Sequence, residues 1–205
     1  MECINTPSHI NDFPRYMFSG DLSLKAFVVP LREGRTHTIG ESAFSECQSL
    51  KYVSLSKTVR TIGSNAFYNC TSLKSINIPN GLTSISSYLF YGCTSLKHVS
   101  IPDTVTRIET CAFYGCESLE SIHLPDGITN ISSNAFRDCQ SLKMVNIPDV
   151  VTRIESGAFY GCKSLESITI PDSITSIGGY AFCGCKSLES ITIPDGITSI
   201  GGYAF

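Results

Sequence analysis

A phenylalanine returns every 23 residues along this chain, at Phe44, Phe67, Phe90, Phe113, Phe136, Phe159, Phe182 and Phe205, with Phe18 one irregular step of 26 before them. Leucine keeps the same beat at Leu50, Leu73, Leu96, Leu119, Leu142, Leu165 and Leu188. Three residues after each stands Val53, Ile76, Val99, Ile122, Val145, Ile168 or Ile191. Two further on come Leu55, Ile78, Ile101, Leu124, Ile147, Ile170 and Ile193. Proline follows at 79, 102, 125, 148, 171 and 194, then a second apolar pair such as Leu82 and Ile85. The unit reads C-x-S-L-x-x-I-x-I-P-D-x-I-T-x-I-x-x-x-A-F-x-x. One such unit is too short to bury its own apolar face, so neighbours must stack and share a core.

Within a unit, L-x-x-I-x-I ends in period-two alternation of β-branched residues, which predicts a short strand. Pro-Asp turns the chain, because proline fixes φ and donates nothing to a ladder. The pair in I-T-x-I predicts a shorter second extended stretch, and the Ala-Phe segment predicts one turn of helix. Stacking places equivalent strands about 4.8 Å apart in a parallel sheet.

The period covers residues 1–205 as a single domain. Residues 1–43 hold degenerate copies: Phe18, Leu24, Phe27, Val29 and Pro30 are in phase, with three extra residues within 31–38. Ile4, Pro7, Ile10 and Phe13 also sit at repeat positions. Residues 44–205 are regular and end in mid-repeat, which predicts a fragment or a last coil that pairs with another molecule.

The pattern resembles the leucine-rich-repeat family, in its 23-residue subclass of BspA-like surface proteins. The resemblance rests on the L-x-x-I-x-I-P strand, the I-x-x-x-A-F segment and the Cys three residues after the Phe. It implies an α/β leucine-rich-repeat solenoid, right-handed and β-rich. A parallel inner sheet would be backed by a short second strand and a short helical turn on the outer side. It also implies a non-catalytic recognition or adhesion module at the cell surface or secreted, binding host matrix proteins, other cells or glycans.

Composition limits the alternatives. Hydrophobic residues make up 42% of the chain, enough for a continuous core, and the net charge is −3. No run of Lys and Arg would grip a phosphate backbone, so nucleic acid is not expected as a partner. The opening MECINTPSHINDFPRYMFSG lacks a signal-peptide pattern and no apolar run is long enough to span a bilayer. A cytoplasmic location therefore also fits the sequence, and direct membrane insertion does not.

Seven cysteines, Cys47, Cys70, Cys93, Cys116, Cys139, Cys162 and Cys185, share the 23-residue interval. They read as a structural ladder of buried thiols, since a free Cys packs as a small hydrophobe. Disulfides between neighbouring coils are the alternative, because stacking brings the column within disulfide range. Cys3, Cys111 and Cys183 lie off the column, and the last two are candidates for exposure. Of the histidines, His9 and His37 fall in the atypical amino-terminal region. His98 and His123 stand on adjacent repeats at outward strand positions, where a binding-surface role outweighs an acid–base or metal role.

The recurring Ser49, Ser72, Ser95, Ser118, Ser141, Ser164 and Ser187 are no unique nucleophile and read as backbone caps at the strand entry. Asp103, Asp126, Asp149, Asp172 and Asp195 follow proline. Turn chemistry accounts for them, and one acid per coil falls short of a calcium site. No phosphate-loop, dinucleotide or zincin motif is present. No catalytic residue, metal or cofactor is expected. Asn69 and Asn130 match glycosylation acceptors.

Outward strand positions define the candidate binding surface, on what would be the concave face. One column runs Tyr52, Ser75, His98, Ser121, Met144, Ser167, Ser190. The other runs Ser54, Asn77, Ser100, His123, Asn146, Thr169, Thr192. These columns vary between copies while the apolar columns barely do. Small hydroxyls and amides with an occasional Tyr, His or Met suit a protein or glycan ligand. A secondary aromatic stripe comprises Tyr68, Tyr91, Tyr114 and Tyr160. The alternative function is structural: self-assembly through uncapped ends or outer tyrosines.

Overall fold

The computed structural model describes residues 3–5, 12–29, 31, 34 and 36–205. Pro7, His9, Ile10 and Pro30 lie outside the described residues.

The predicted strands stack in register. Cys3–Asn5, Ala26–Val29, Tyr52–Leu55, Ser75–Asn77 and His98–Ser100 form one parallel sheet. After one further coil, Met144–Asn146 pairs with Ser167–Thr169. Tyr52 stands opposite Ser75, Ser75 opposite His98 and Met144 opposite Ser167, so residues 23 apart are direct neighbours. In the coil between, residues 120–125 form no regular strand, yet Ile122 is buried between exposed Ser121 and His123. Backbone N–H groups of Glu120 and Lys143 still reach the carbonyls of Lys97 and Glu120, at 3.4 and 3.2 Å.

The second extended stretch makes a separate row. Asp12–Phe13, His37–Ile39 and Val59–Ile62 pair in parallel, as do Ser84–Ile85, Arg107–Ile108 and Asn130–Ile131. Arg153–Ile154, Ser176–Ile177 and Ser199–Ile200 continue the row. Between the two rows lies a Pro-Asp turn: the carbonyl of Pro102 accepts the N–H of Val105 at 3.0 Å, and Pro125, Pro148 and Pro171 repeat this. The turn holds each Asp outside.

The phenylalanines form the centre of the core. Rings from Phe44 to Phe182 stack coil on coil with centroids 5.3–5.8 Å apart. Each is fully or almost fully buried. Burial of one such ring is worth about 2–3 kcal/mol over leaving it exposed. The irregular first step does not break the column, because Phe18 still stacks on Phe44 at 5.3 Å. The three extra residues fall between Ala26–Val29, which pairs 26 residues ahead with Tyr52–Leu55, and Thr38 and Ile39, which pair 23 ahead with Thr61 and Ile62.

The predicted helical turn around each Phe is not a helix. In residues 41–46 and onward, two hydrogen-bond patterns alternate. Ser42, Phe44 and Glu46 donate their N–H groups to Ser64, Ala66 and Tyr68 of the next coil, at 3.0, 2.9 and 2.7 Å. Ala43, Ser45 and Cys47 donate three residues back within their own coil, to Gly40, Ser42 and Phe44. A helix would spend all these donors internally. Of the three donors that reach sideways, Ser42 (54°) and Glu46 (62°) have positive φ. The same two positions have positive φ down the stack, at Asn65 and Asn69, Asn134 and Asp138, Gly157 and Gly161. Asn, Asp and Gly tolerate that region best. Among the described residues no helix is long and apolar enough to cross a membrane.

Candidate functional site

The alternation of the inner strand sorts its side chains into two sets. Val53, Ile76, Val99, Ile122, Val145 and Ile168 point into the core, and their neighbours on both sides point out. All twelve candidate residues, Tyr52, Ser54, Ser75, Asn77, His98, Ser100, Ser121, His123, Met144, Asn146, Ser167 and Thr169, are exposed. Two large side chains stand out of this polar field: Tyr52 is 60% exposed and Met144 61%. A shallow depression of about 170 Å³ lies beside Met144, lined also by Asn146, Ser167 and Thr169.

One member of the set has another task. The Asn77 amide donates to the Leu55 carbonyl at 2.9 Å and accepts from the Leu55 N–H at 3.4 Å. It closes the strand pair where backbone pairing has stopped, since only Tyr52 and Val53 pair with Ser75 and Ile76. Both ends of that amide are occupied within the sheet.

The tyrosine stripe is a stack of half-buried rings. Tyr68 lies on Tyr91 at 4.8 Å and Tyr91 on Tyr114 at 4.5 Å, nearly parallel. Arg137 occupies the next place in the column, with its guanidinium carbon 5.6 Å from Tyr114 and 4.1 Å from Tyr160. The ring faces are spent on one another, so the stripe presents edges. Arg137 was invisible among the tyrosines in the sequence, although it stands 23 residues after Tyr114.

Each ladder thiol donates to the carbonyl of the Phe one coil earlier: Cys70 to Phe44 at 3.0 Å, Cys93 to Phe67 at 3.1 Å, Cys116 to Phe90 at 3.2 Å. That same Phe44 carbonyl accepts the Cys47 N–H. A Cys here fills a narrow corner and satisfies a buried acceptor with a weak donor. None of the seven ladder sulfurs is bonded to another. Burial pushes them up, Cys47 to about 11 and Cys185 to about 12, and Cys70, Cys116 and Cys162 well above the usual thiol value. At neutral pH these thiols hold their protons, and it is the thiolate that reacts.

Cys111 is buried rather than exposed, at 7%, while Cys183 is half-buried. The recurring serines do not cap through their hydroxyls. Their contribution is the backbone N–H, as when Ser118, Ser141 and Ser164 donate to Thr94, Glu117 and Gln140. His37 replaces an apolar residue in the core: it is fully buried, stacks on Phe13 at 6.3 Å, and its Nδ1 lies 3.0 Å from Thr58 Oγ1. Its place opposite Val59 was hidden by the irregular step. Among the described residues no group of three His, Cys, Asp or Glu is placed to hold a metal ion.

Parallel coils with an L-x-x-I-x-I strand, an apolar ladder inside and a variable strand face outside define a leucine-rich-repeat solenoid. The chain belongs to the BspA type leucine rich repeat family, whose profile matches it in six copies over residues 11–143 and 83–205. It is similar in fold to a leucine rich cell surface protein from Faecalibacterium prausnitzii A2-165, at 30% identity and a TM-score of 0.69, over 100% of this chain and 70% of that one. A leucine-rich repeat protein from Bacteroides ovatus ATCC 8483 matches at 28% identity and 0.66, over 86% of this chain and 53% of that one. The T. pallidum leucine rich repeat protein matches at 28% and 0.63, over 92% and 78%. No curated protein matches the chain.

Proposed function

We propose that the chain is a non-catalytic recognition module that binds a protein or glycan ligand through its strand face, at the cell surface. The observation that carries this reading is the contrast between columns. Residues that fill the core scarcely change from coil to coil, while the exposed strand residues change in size and polarity, from Tyr52 through His98 to Met144. Tyr and Met exposed on a field of hydroxyls and amides are the composition of a contact surface with adaptable anchors. The F. prausnitzii relative is described as a cell surface protein, which supports the location.

The test is binding of the purified chain to arrayed extracellular-matrix proteins and glycans, beside a variant carrying His98→Glu, Ser121→Glu and Asn146→Glu. Saturable binding that the variant loses supports the strand face. Binding that survives in the folded variant rejects it. Mass that rises with concentration in light scattering, with no ligand bound, favours self-assembly instead.

A further inference from the structure

Charge is distributed along this solenoid in blocks. Residues 47–102 contain no Asp or Glu and carry Lys51, Lys57, Arg60, Lys74 and Lys97. Residues 103–205 carry twelve acidic residues against six basic ones. The lysines are too far apart in sequence to make a basic run, but the fold collects them. Lys51 donates its N–H to the Lys25 carbonyl at 2.9 Å, Lys74 to Lys51 at 3.5 Å and Lys97 to Lys74 at 3.0 Å. Their side chains are all exposed at the entry edge of the strand face, one per coil. The row ends where Glu120 takes the same position and pairs with Lys97 at 3.3 Å. Among the described residues, neither Lys51 nor Lys74 makes an ion pair.

We propose that this basic row binds a sulfated polysaccharide laid along the solenoid axis, across the coils of Lys51, Lys74 and Lys97. Strand spacing sets the lysines about 4.8 Å apart, a regular track for a linear polyanion. Such a chain gains from each neutralised charge by releasing counterions. Beside the row, in the next column, stand Tyr52, Ser75 and His98, an aromatic face and polar groups suited to a sugar ring and its hydroxyls. Single-stranded nucleic acid would want a series of exposed aromatic rings for its bases. Here Tyr52 is the single ring beside the row, and Tyr68, Tyr91 and Tyr114 stack on one another away from it. The acidic coils beyond Asp103 fix the ligand's position along the axis by repelling it.

The proposal rests on the strand face being a recognition surface and names the ligand class of its first half. Immobilised heparin is the probe, with hyaluronan, polyglutamate and a DNA duplex as competitors. Heparin binding should weaken with salt. Lys51→Gln, Lys74→Gln and Lys97→Gln together should lower the log–log salt slope by about 3 and the affinity by about tenfold or more. The matched control Lys143→Gln, Lys163→Gln and Lys186→Gln removes equal charge from the acidic coils and should leave binding unchanged. Equal loss in both triple variants would overturn the proposal, as would competition by polyglutamate or DNA as effective as that by soluble heparin. Absence of heparin binding would also overturn it. A matrix protein still bound, and lost on His98→Glu with Ser121→Glu and Asn146→Glu, would leave the broader recognition reading standing.

Discussion

The guanidinium carbon of Arg137 lies 4.1 Å from the ring centroid of Tyr160, in a column whose three preceding members are Tyr114, Tyr91 and Tyr68. A cation thus stands in for a ring, continuing the stack with a planar group of similar reach. Arg137→Ala should cost about 1 kcal/mol, from the lost cation–π and packing contacts. Arg137→Tyr should restore most of it, since neighbouring coils already hold tyrosine there. Chemical denaturation of the three proteins checks the order.

The phenylalanine column predicts a steep cost for any interior gap. Phe113→Ala removes a ring stacked on both sides, at 5.4 and 5.3 Å, and should cost about 3–5 kcal/mol. Phe18→Ala, in a half-buried first position, should cost less. The midpoints of thermal unfolding would rank them, and a smaller effect at Phe113 than at Phe18 would refute the column as the centre of the core.

Thiol chemistry gives a third expectation. In the native protein, half-buried Cys183 should react with a thiol reagent while the six buried ladder cysteines from Cys47 to Cys162 stay protected until the chain unfolds. Mass spectrometry of labelled peptides reads this directly.

Stability should fall in mild alkali. The ladder thiols have folded pKa values raised by burial, so the folded chain holds their protons more tightly than the unfolded one. Their contribution is full below the ordinary thiol value of 9.0 and is lost as pH rises towards about 11, where Cys47 titrates in the fold. Cys70→Ala with Cys116→Ala should flatten the decline between pH 9 and 11 relative to the parent protein.

Backbone geometry makes a fifth. Asp138 has φ of 58°, at a position that is Gly in the coils at Gly115 and Gly161. Asp138→Gly should be tolerated, while Asp138→Val should cost about 1–2 kcal/mol through left-handed strain. Equal stability of the two would show that the position does not require that conformation.

Much of this was legible in the sequence because the repeat is strict. The strand, the Pro-Asp turn and the phenylalanine and cysteine columns all follow from equal spacing, which converts sequence distance into spatial adjacency. The turn around each Phe is not settled by the sequence, because an Ala-Phe pair between polar residues does not distinguish a helical turn from alternating turns. The signal lay in the Asn, Asp and Gly residues of the two flanking columns, such as Asn134 and Asp138, which mark positive φ. Side-chain substitutions for backbone, such as the amide of Asn77 on Leu55, leave no periodic trace in the sequence. The lysine row was readable in principle, yet counting charges along the chain hides it, since its members are 23 residues apart.

The central claim is that ligand contacts the strand face and not the tyrosine side. Hydroxyl-radical footprinting tests it without altering the protein, because Tyr, Met and His side chains on both sides report their own accessibility. With a ligand captured from the array, oxidation of Tyr52, His98 and Met144 should fall while that of Tyr88 and Tyr180, exposed rings beside Tyr91 and Tyr160 of the stripe, stays unchanged. Protection of Tyr88 and Tyr180 with Tyr52 and Met144 unaffected would contradict the account and move recognition to the opposite side of the solenoid.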